Sequence, residues 1–240
     1  MSNSKYVRIL ALTVLSTGFL LAEDAGQILK QTEETYRAVK SYHFEGTTVS
    51  ETTLGKSVSK SETSFVVAFE KPNKFRVEYV YPTAGNWVRV SDGAKTWKTR
   101  SITKELSETA ATEDDLGILD GTPVSPFWNI GENASNPSIA GTESISVGGK
   151  NYDCFVVQVL LPSSSERPGE QPPPVKLWID KANHLILREV SGAVTQPGPS
   201  AQGKAAKGKG TPGGNLRTTT FTYAEVNQAV PQDLFHLAKR

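Results

Sequence analysis

Two periodicities divide the chain. Between Asp24 and Lys40, Ala25, Ile28, Leu29, Thr32, Tyr36 and Val39 recur at helical spacing on one face, with Gln27, Lys30, Gln31, Glu34 and Arg37 on the other. Asp24 stands where an N-cap acceptor belongs. The pattern predicts one amphipathic helix laid across a sheet. After Ser41 the period becomes two. Tyr42–Thr53 and Lys56–Phe69 read as long Thr/Ser/Val-rich strands turning at Gly55, with Phe65, Val67 and Phe69 on one face. Lys71-Pro72-Asn73 breaks the run, and Lys74–Tyr81 resumes it with Phe75, Val77, Tyr79 and Tyr81 inward and Arg76 and Glu78 outward. Asn86–Val90 and Lys95–Arg100 form a hairpin around Ser91-Asp92-Gly93. Consecutive strands with short turns predict an antiparallel meander.

Leu106–Pro137 interrupts the strand pattern. Glu113–Leu119 suits a short helix, and Phe127, Trp128 and Ile130 form a local apolar cluster. The segment reads either as a cover over an open side of the sheet or as a surface loop tethered by one aromatic pair. Strands return at Ser138–Val147, Tyr152–Leu161, Val175–Ile179, His184–Val190 and Leu216–Val226, and Asp233–Leu237 closes the chain. Tyr152–Leu161 is apolar on both faces, which predicts a strand covered from both sides. Pro162–Pro174 is Ser/Pro-rich and Thr195–Gly214 is rich in Gly, Pro, Ala and Lys. Neither can bury a core, so both are expected to be flexible loops at 162–174 and 195–214. The lysines at 204, 207 and 209 read as solvated linker charges.

The first residues follow a third pattern. Lys5 and Arg8 precede an apolar run, Ile9–Leu21, and Leu20-Leu21-Ala22 stands before Glu23-Asp24. This predicts a secretory signal at 1–22, cleaved after Ala22, leaving one domain over 23–240. Loss of Lys5 and Arg8 takes the net charge from +1 to −1. A near-neutral chain has no global field for nucleic acid or an anionic membrane. The single cysteine, Cys154, excludes an internal disulfide and lies in an apolar run, where a buried, inert thiol is expected.

Catalytic motifs are missing. No Gly-x-Ser-x-Gly, Gly-x-Gly-x-x-Gly, phosphate-binding loop or His-Glu-x-x-His occurs. The three histidines, His43, His184 and His236, fall in separate segments, so no metal site is expected. Glu113-Asp114-Asp115 reads as an acidic helix start. Neither a catalytic residue nor a cofactor is assigned, and a binding module remains.

Several segments in order resemble the periplasmic lipoprotein carriers and lipoprotein-sorting proteins, the LolA-like superfamily. They are Ile28-Leu29 in the helix, Phe69-Glu70-Lys71-Pro72-Asn73-Lys74-Phe75-Arg76-Val77-Glu78-Tyr79, and Val90-Ser91-Asp92-Gly93-Ala94-Lys95-Thr96-Trp97. Later come Leu177-Trp178-Ile179-Asp180, Leu185-Ile186-Leu187-Arg188, Phe221-Thr222-Tyr223 and Val230-Pro231-Gln232-Asp233-Leu234-Phe235. The resemblance implies an α+β, mainly β fold: a curved, incompletely closed antiparallel half-barrel with an N-terminal helix and a lid segment on its concave side. It implies a periplasmic monomer that carries the acyl chains of a lipoprotein or lipid between an inner-membrane donor and an outer-membrane acceptor. The alternative is an envelope sensor or protein-interaction module of the same fold. In the family a basic residue before the Pro of the strand–turn–strand step latches the lid, and Lys71 occupies that place. Alternation nominates Phe65, Val67, Phe75, Val77, Tyr79, Trp97 and Trp178 for the cleft, with Phe127 and Trp128 as lid contacts.

Overall fold

A computed structural model describes residues 24–162, 172–194 and 213–237. The expected signal segment and the centres of both expected loops lie outside the described residues. Helix α1 (Ala25–Arg37) starts at Asp24, whose carboxylate accepts the Gly26 N–H at 3.4 Å. Its apolar face is the one expected: Ala25, Ile28, Leu29, Thr32 and Tyr36 are all buried. Glu33 is buried on the same face, which apolar periodicity did not announce.

Among the described residues eleven strands make one sheet: β1 (Ser41–Leu54), β2 (Ser57–Glu70), β3 (Lys74–Tyr81), β4 (Gly85–Asp92), β5 (Lys95–Arg100), β6 (Glu105–Ala110), β7 (Ser135–Val147), β8 (Lys150–Leu160), β9 (Pro174–Asp180), β10 (Ile186–Val194) and β11 (Gly213–Val226). The spatial order is β6-β5-β4-β3-β2-β1-β11-β10-β9-β8-β7, and every pairing is antiparallel. Among the described residues β6 and β7 are edges without a second partner, so the sheet is an incomplete barrel, the mainly β half-barrel that the resemblance implied. β6 corrects the reading of 106–137 as uninterrupted insertion. Its Glu-Leu-Ser-Glu-Thr-Ala is exposed at every position, so an edge strand formed there with no apolar alternation to announce it.

The inner face is identified by ring contacts to α1. Tyr36 stacks on Phe44 at 6.2 Å, and Phe44 meets Phe221 at 5.6 Å. Directly paired residues share a face, so Tyr42 with Phe69, Phe44 with Val67 and Phe65 with Tyr79 extend this inner surface. The outer face carries a second, smaller cluster. Val230 and Phe235 pack on Ala68, and Arg76 donates to the Leu234 carbonyl at 3.1 Å and the His236 carbonyl at 3.3 Å. This strap covers the outward side of β2 and β3, and it explains why Arg76 and Glu78 are outward yet half-buried. The closing segment within it is a 3-10 turn, Gln232–Phe235. Among the described residues no helix is long and apolar enough to cross a membrane.

Candidate functional site: a lidded cleft on the inner face

Between β6 and β7 the chain folds over the inner face as a lid. It comprises 3-10 segments Glu113–Gly121 and Ser125–Asn129 and one helical turn, α2 (Ile130–Asn133). Of the two readings of this segment, the covering one is realised. Val124, Phe127 and Ile130 are fully buried. Phe127 lies 5.3 Å from Tyr36 and 6.2 Å from Phe221, and Trp128 lies 5.5 Å from both Tyr36 and Tyr42.

Polar ties fix the lid at each end. At its start, Asp115 accepts the Arg89 guanidinium of β4, the Thr96 hydroxyl of β5 at 2.9 Å and the Thr112 N–H at 2.9 Å. Burial works to raise the Asp115 pKa, but these hydrogen bonds and the Arg89 charge outweigh it and hold the carboxyl below its ordinary value. Midway, the Tyr79 hydroxyl donates to the Gly121 carbonyl at 3.3 Å. At the far end Glu33 accepts the backbone N–H groups of Gly131 at 2.8 Å and Glu132 at 3.1 Å. Its other oxygen meets Arg37 at 2.9 Å. Arg37 in turn donates to the Trp128 carbonyl at 3.1 Å, Asn129 Oδ1 at 2.9 Å and Glu132 Oε1 at 2.8 Å. Glu33 thus supplies from α1 the cap that α2 lacks from its own residues.

Under this lid lies a cavity of about 340 Å³. Val39, Tyr42, Phe69, Leu116, Leu119 and Trp128 give it apolar walls, and Arg37, Lys71, Asp120, Ser125 and Asn129 complete the lining. A second cavity of about 370 Å³ sits at the opposite end of β3, against Tyr79, Tyr81, Trp87 and Arg100, and no lid residue lines it.

The residues nominated from sequence divide between the two faces. Phe65, Val67 and Val77 are buried on the inner side, Phe75 is buried on the same side of β3 as Val77, and Tyr79 reaches the lid. Phe127 and Trp128 are lid residues, as nominated. Trp97 and Trp178 point the other way. Thr96 faces the lid through Asp115, so its neighbour Trp97 turns outward, pairs with Val90 and donates to Glu108 at 2.9 Å. Leu177 pairs with Glu189, which pairs with Thr219 beside Phe221 on the inner face. Trp178 is therefore on the outer face of the sheet, where it is nevertheless buried, donating to Glu143 at 2.7 Å beneath Arg188 at 4.7 Å. Lys71 lines the cavity, and its own N–H donates to the Lys40 carbonyl at 3.0 Å. Among the described residues its ammonium makes no ion pair; the ion pairs that reach the lid run from Arg37 to Glu132 and from Arg89 to Asp115. Sequence reasoning missed Glu33, Arg37 and Asp115, along with Tyr42 and Phe221. Tyr42 shares a strand face with Phe44 by parity, whereas Phe221 comes to that face only through the register shift between Glu45 and Gly46, which no local pattern announces. Cys154 is fully buried and burial pushes its thiol up to about 12. Among the described residues no group of three or more His, Cys, Asp or Glu is placed to hold a metal ion.

No protein-family model and no curated protein matches the chain. Solved structures similar to it include LprF from Mycobacterium bovis, at 16% identity and a TM-score of 0.46 over 86% of this chain and 95% of that one. The Pseudomonas aeruginosa MucA/MucB complex matches at 17% identity and a TM-score of 0.42 over 89% of this chain, which spans only 61% of that one. A LolA superfamily protein, NE2245 from Nitrosomonas europaea, is similar at 13% identity and a TM-score of 0.31 over 90% of this chain and 99% of that one.

Proposed function

We propose that this protein is a periplasmic carrier that holds the acyl chains of a lipoprotein or lipid beneath its lid. Working as a monomer, it would receive them from an inner-membrane donor and pass them to an outer-membrane acceptor. The cavity under the lid carries the proposal: apolar walls, cationic Arg37 and Lys71 at its lining, and a cover seated by a few side chains. Its volume is within the range of small-ligand pockets, about 300–1,000 Å³. Exposing one buried Phe or Ile costs about 1.5–3 kcal/mol, and an acyl chain regains about 0.8 kcal/mol per methylene buried. Displacing Phe127 and Ile130 is therefore offset by roughly four to eight methylenes, and a longer chain binds with net gain. The signal-like segment at 1–22 supports export.

The test is native mass spectrometry of residues 23–240 purified without detergent from the host envelope, followed by titration with cis-parinaric acid. A released lipid or acylated peptide is expected, with probe uptake that the double variant Leu116→Asp/Leu119→Asp abolishes while remaining folded. A bare protein that takes up no probe would overturn the carrier and leave the interaction module.

A further inference from the structure

One buried donor in the cavity wall is left without a partner. The Tyr42 hydroxyl is shielded from solvent and, among the described residues, has no hydrogen-bond acceptor, although Tyr42 lines the cavity under the lid. Its ring is held on three sides, by Phe44, Phe69 and Trp128, each with centroids 5.5 Å away, so the hydroxyl cannot swing out to water. The contrast with Tyr36 is direct. That equally buried phenol accepts the Ile186 N–H at 3.2 Å. Nearly all buried polar groups are paired, and an exception needs a reason. Burial also pushes the Tyr42 phenol far above its ordinary pKa, so it stays protonated and able to donate at any working pH.

We propose that the Tyr42 hydroxyl is the donor that recognises the acyl carbonyl oxygen of the cargo, and so selects acylated or carboxylated chains over plain hydrocarbon. The inference rests on the reading of the cavity as an acyl-chain site. Asp120, Ser125 and Asn129 bring side-chain acceptors to the cavity lining, and none of them is bonded to the Tyr42 hydroxyl. Arg37 and Lys71 line the same cavity, so a chain entering beneath Trp128 brings its head among cations that share the lining with Asp120. The carbonyl oxygen then accepts from Tyr42, and a carboxylate or ester head remains among the cations. A donor already stripped of water makes this bond with no desolvation of its own left to offset, so its contribution to selectivity is large. The oxygen can belong to a free fatty carboxylate or to an ester; both present the same acceptor.

Tyr42→Phe removes the hydroxyl and keeps the ring. It should melt no lower than the parent, since it deletes an unpaired buried group. Three probes are titrated against both proteins: cis-parinaric acid, its methyl ester, and N-phenyl-1-naphthylamine, which has no carbonyl. The expected result is a loss of about tenfold in affinity for both parinaroyl probes, with the naphthylamine unchanged. Loss confined to the acid would still support the donor and identify its acceptor as a carboxylate. Equal binding of all three probes by the two proteins would overturn the inference while leaving the cavity reading intact. A lower melting temperature for the variant would also overturn it, because it would mean the hydroxyl is already satisfied. Failure of the parent to bind any probe would instead remove the cavity reading on which the inference stands.

Discussion

Glu33→Ala should release the end of the lid. The carboxylate is 7% exposed and caps two backbone N–H groups of α2 while pairing with Arg37. Hydrogen bonds to a charged group contribute about 1.5–3 kcal/mol each, and an orphaned buried donor costs about 1–3 kcal/mol. Arg37 is half-exposed, so its ion pair adds little. Gly131 and Glu132 are exposed, so water can reach the freed amides and the loss is mainly that of two hydrogen bonds to the buried carboxylate. A net cost of about 3 kcal/mol follows, at the low end for breaking a buried charge contact. Part of that cost belongs to lid opening and part to global unfolding. Denaturant titration reads the second, and native-state hydrogen exchange at Gly131 and Glu132 reads the first. Glu33→Gln keeps one acceptor oxygen and should lose about half as much. If Glu33→Ala falls within about 0.5 kcal/mol of the parent and leaves exchange of those amides unchanged, the capping account is refuted.

The anchor at the other end of the lid should be pH-dependent. Asp115 has a folded pKa below its unfolded value, so its contribution is present above the unfolded value of about 3.9 and is lost as pH falls through the folded one. Asp115→Ala should therefore destabilise the protein by about 1–3 kcal/mol at pH 7, with the difference shrinking as the pH falls below about 4 in urea titrations; a difference constant from pH 7 to pH 2 would refute the tie. Cys154, fully buried with its thiol pushed up to about 12, should react with a thiol reagent such as dithionitrobenzoate only after denaturation. Rapid labelling of the native protein would contradict its placement.

The strands and the inner face of β2 and β3 could be read from alternation because each is polar on one side and apolar on the other. Phe65, Val67 and Val77 follow directly from that. Alternation separates the two faces of a strand but does not say which is inner, and Trp97 and Trp178 fall on the outer one. Parity, counted from Thr96 and Leu177, turns both outward, where an indole N–H can reach Glu108 or Glu143. β6 carries no signal at all, since an exposed edge imposes no pattern on its side chains. The lid ties were invisible for another reason. Glu33 meets Gly131 across 98 positions of sequence, and nothing local distinguishes it from the solvated Glu34 beside it. The unpaired hydroxyl of Tyr42 is likewise a property of its surroundings and not of its spacing.

The two free edges give the cleft a mechanical freedom that a closed barrel lacks. In a barrel, widening the interior means tearing a ladder or sliding its register. Here β6 and β7 share no ladder, so the walls can spread by a small change of twist at each strand pair, with every existing backbone hydrogen bond kept. The strain of accommodating a bulkier guest would be spread across the whole sheet, and no single residue would serve as the hinge. On the carrier reading, capacity would be elastic, set by how far these strands can uncurl before the lid ties at Asp115 and Glu33 are drawn taut.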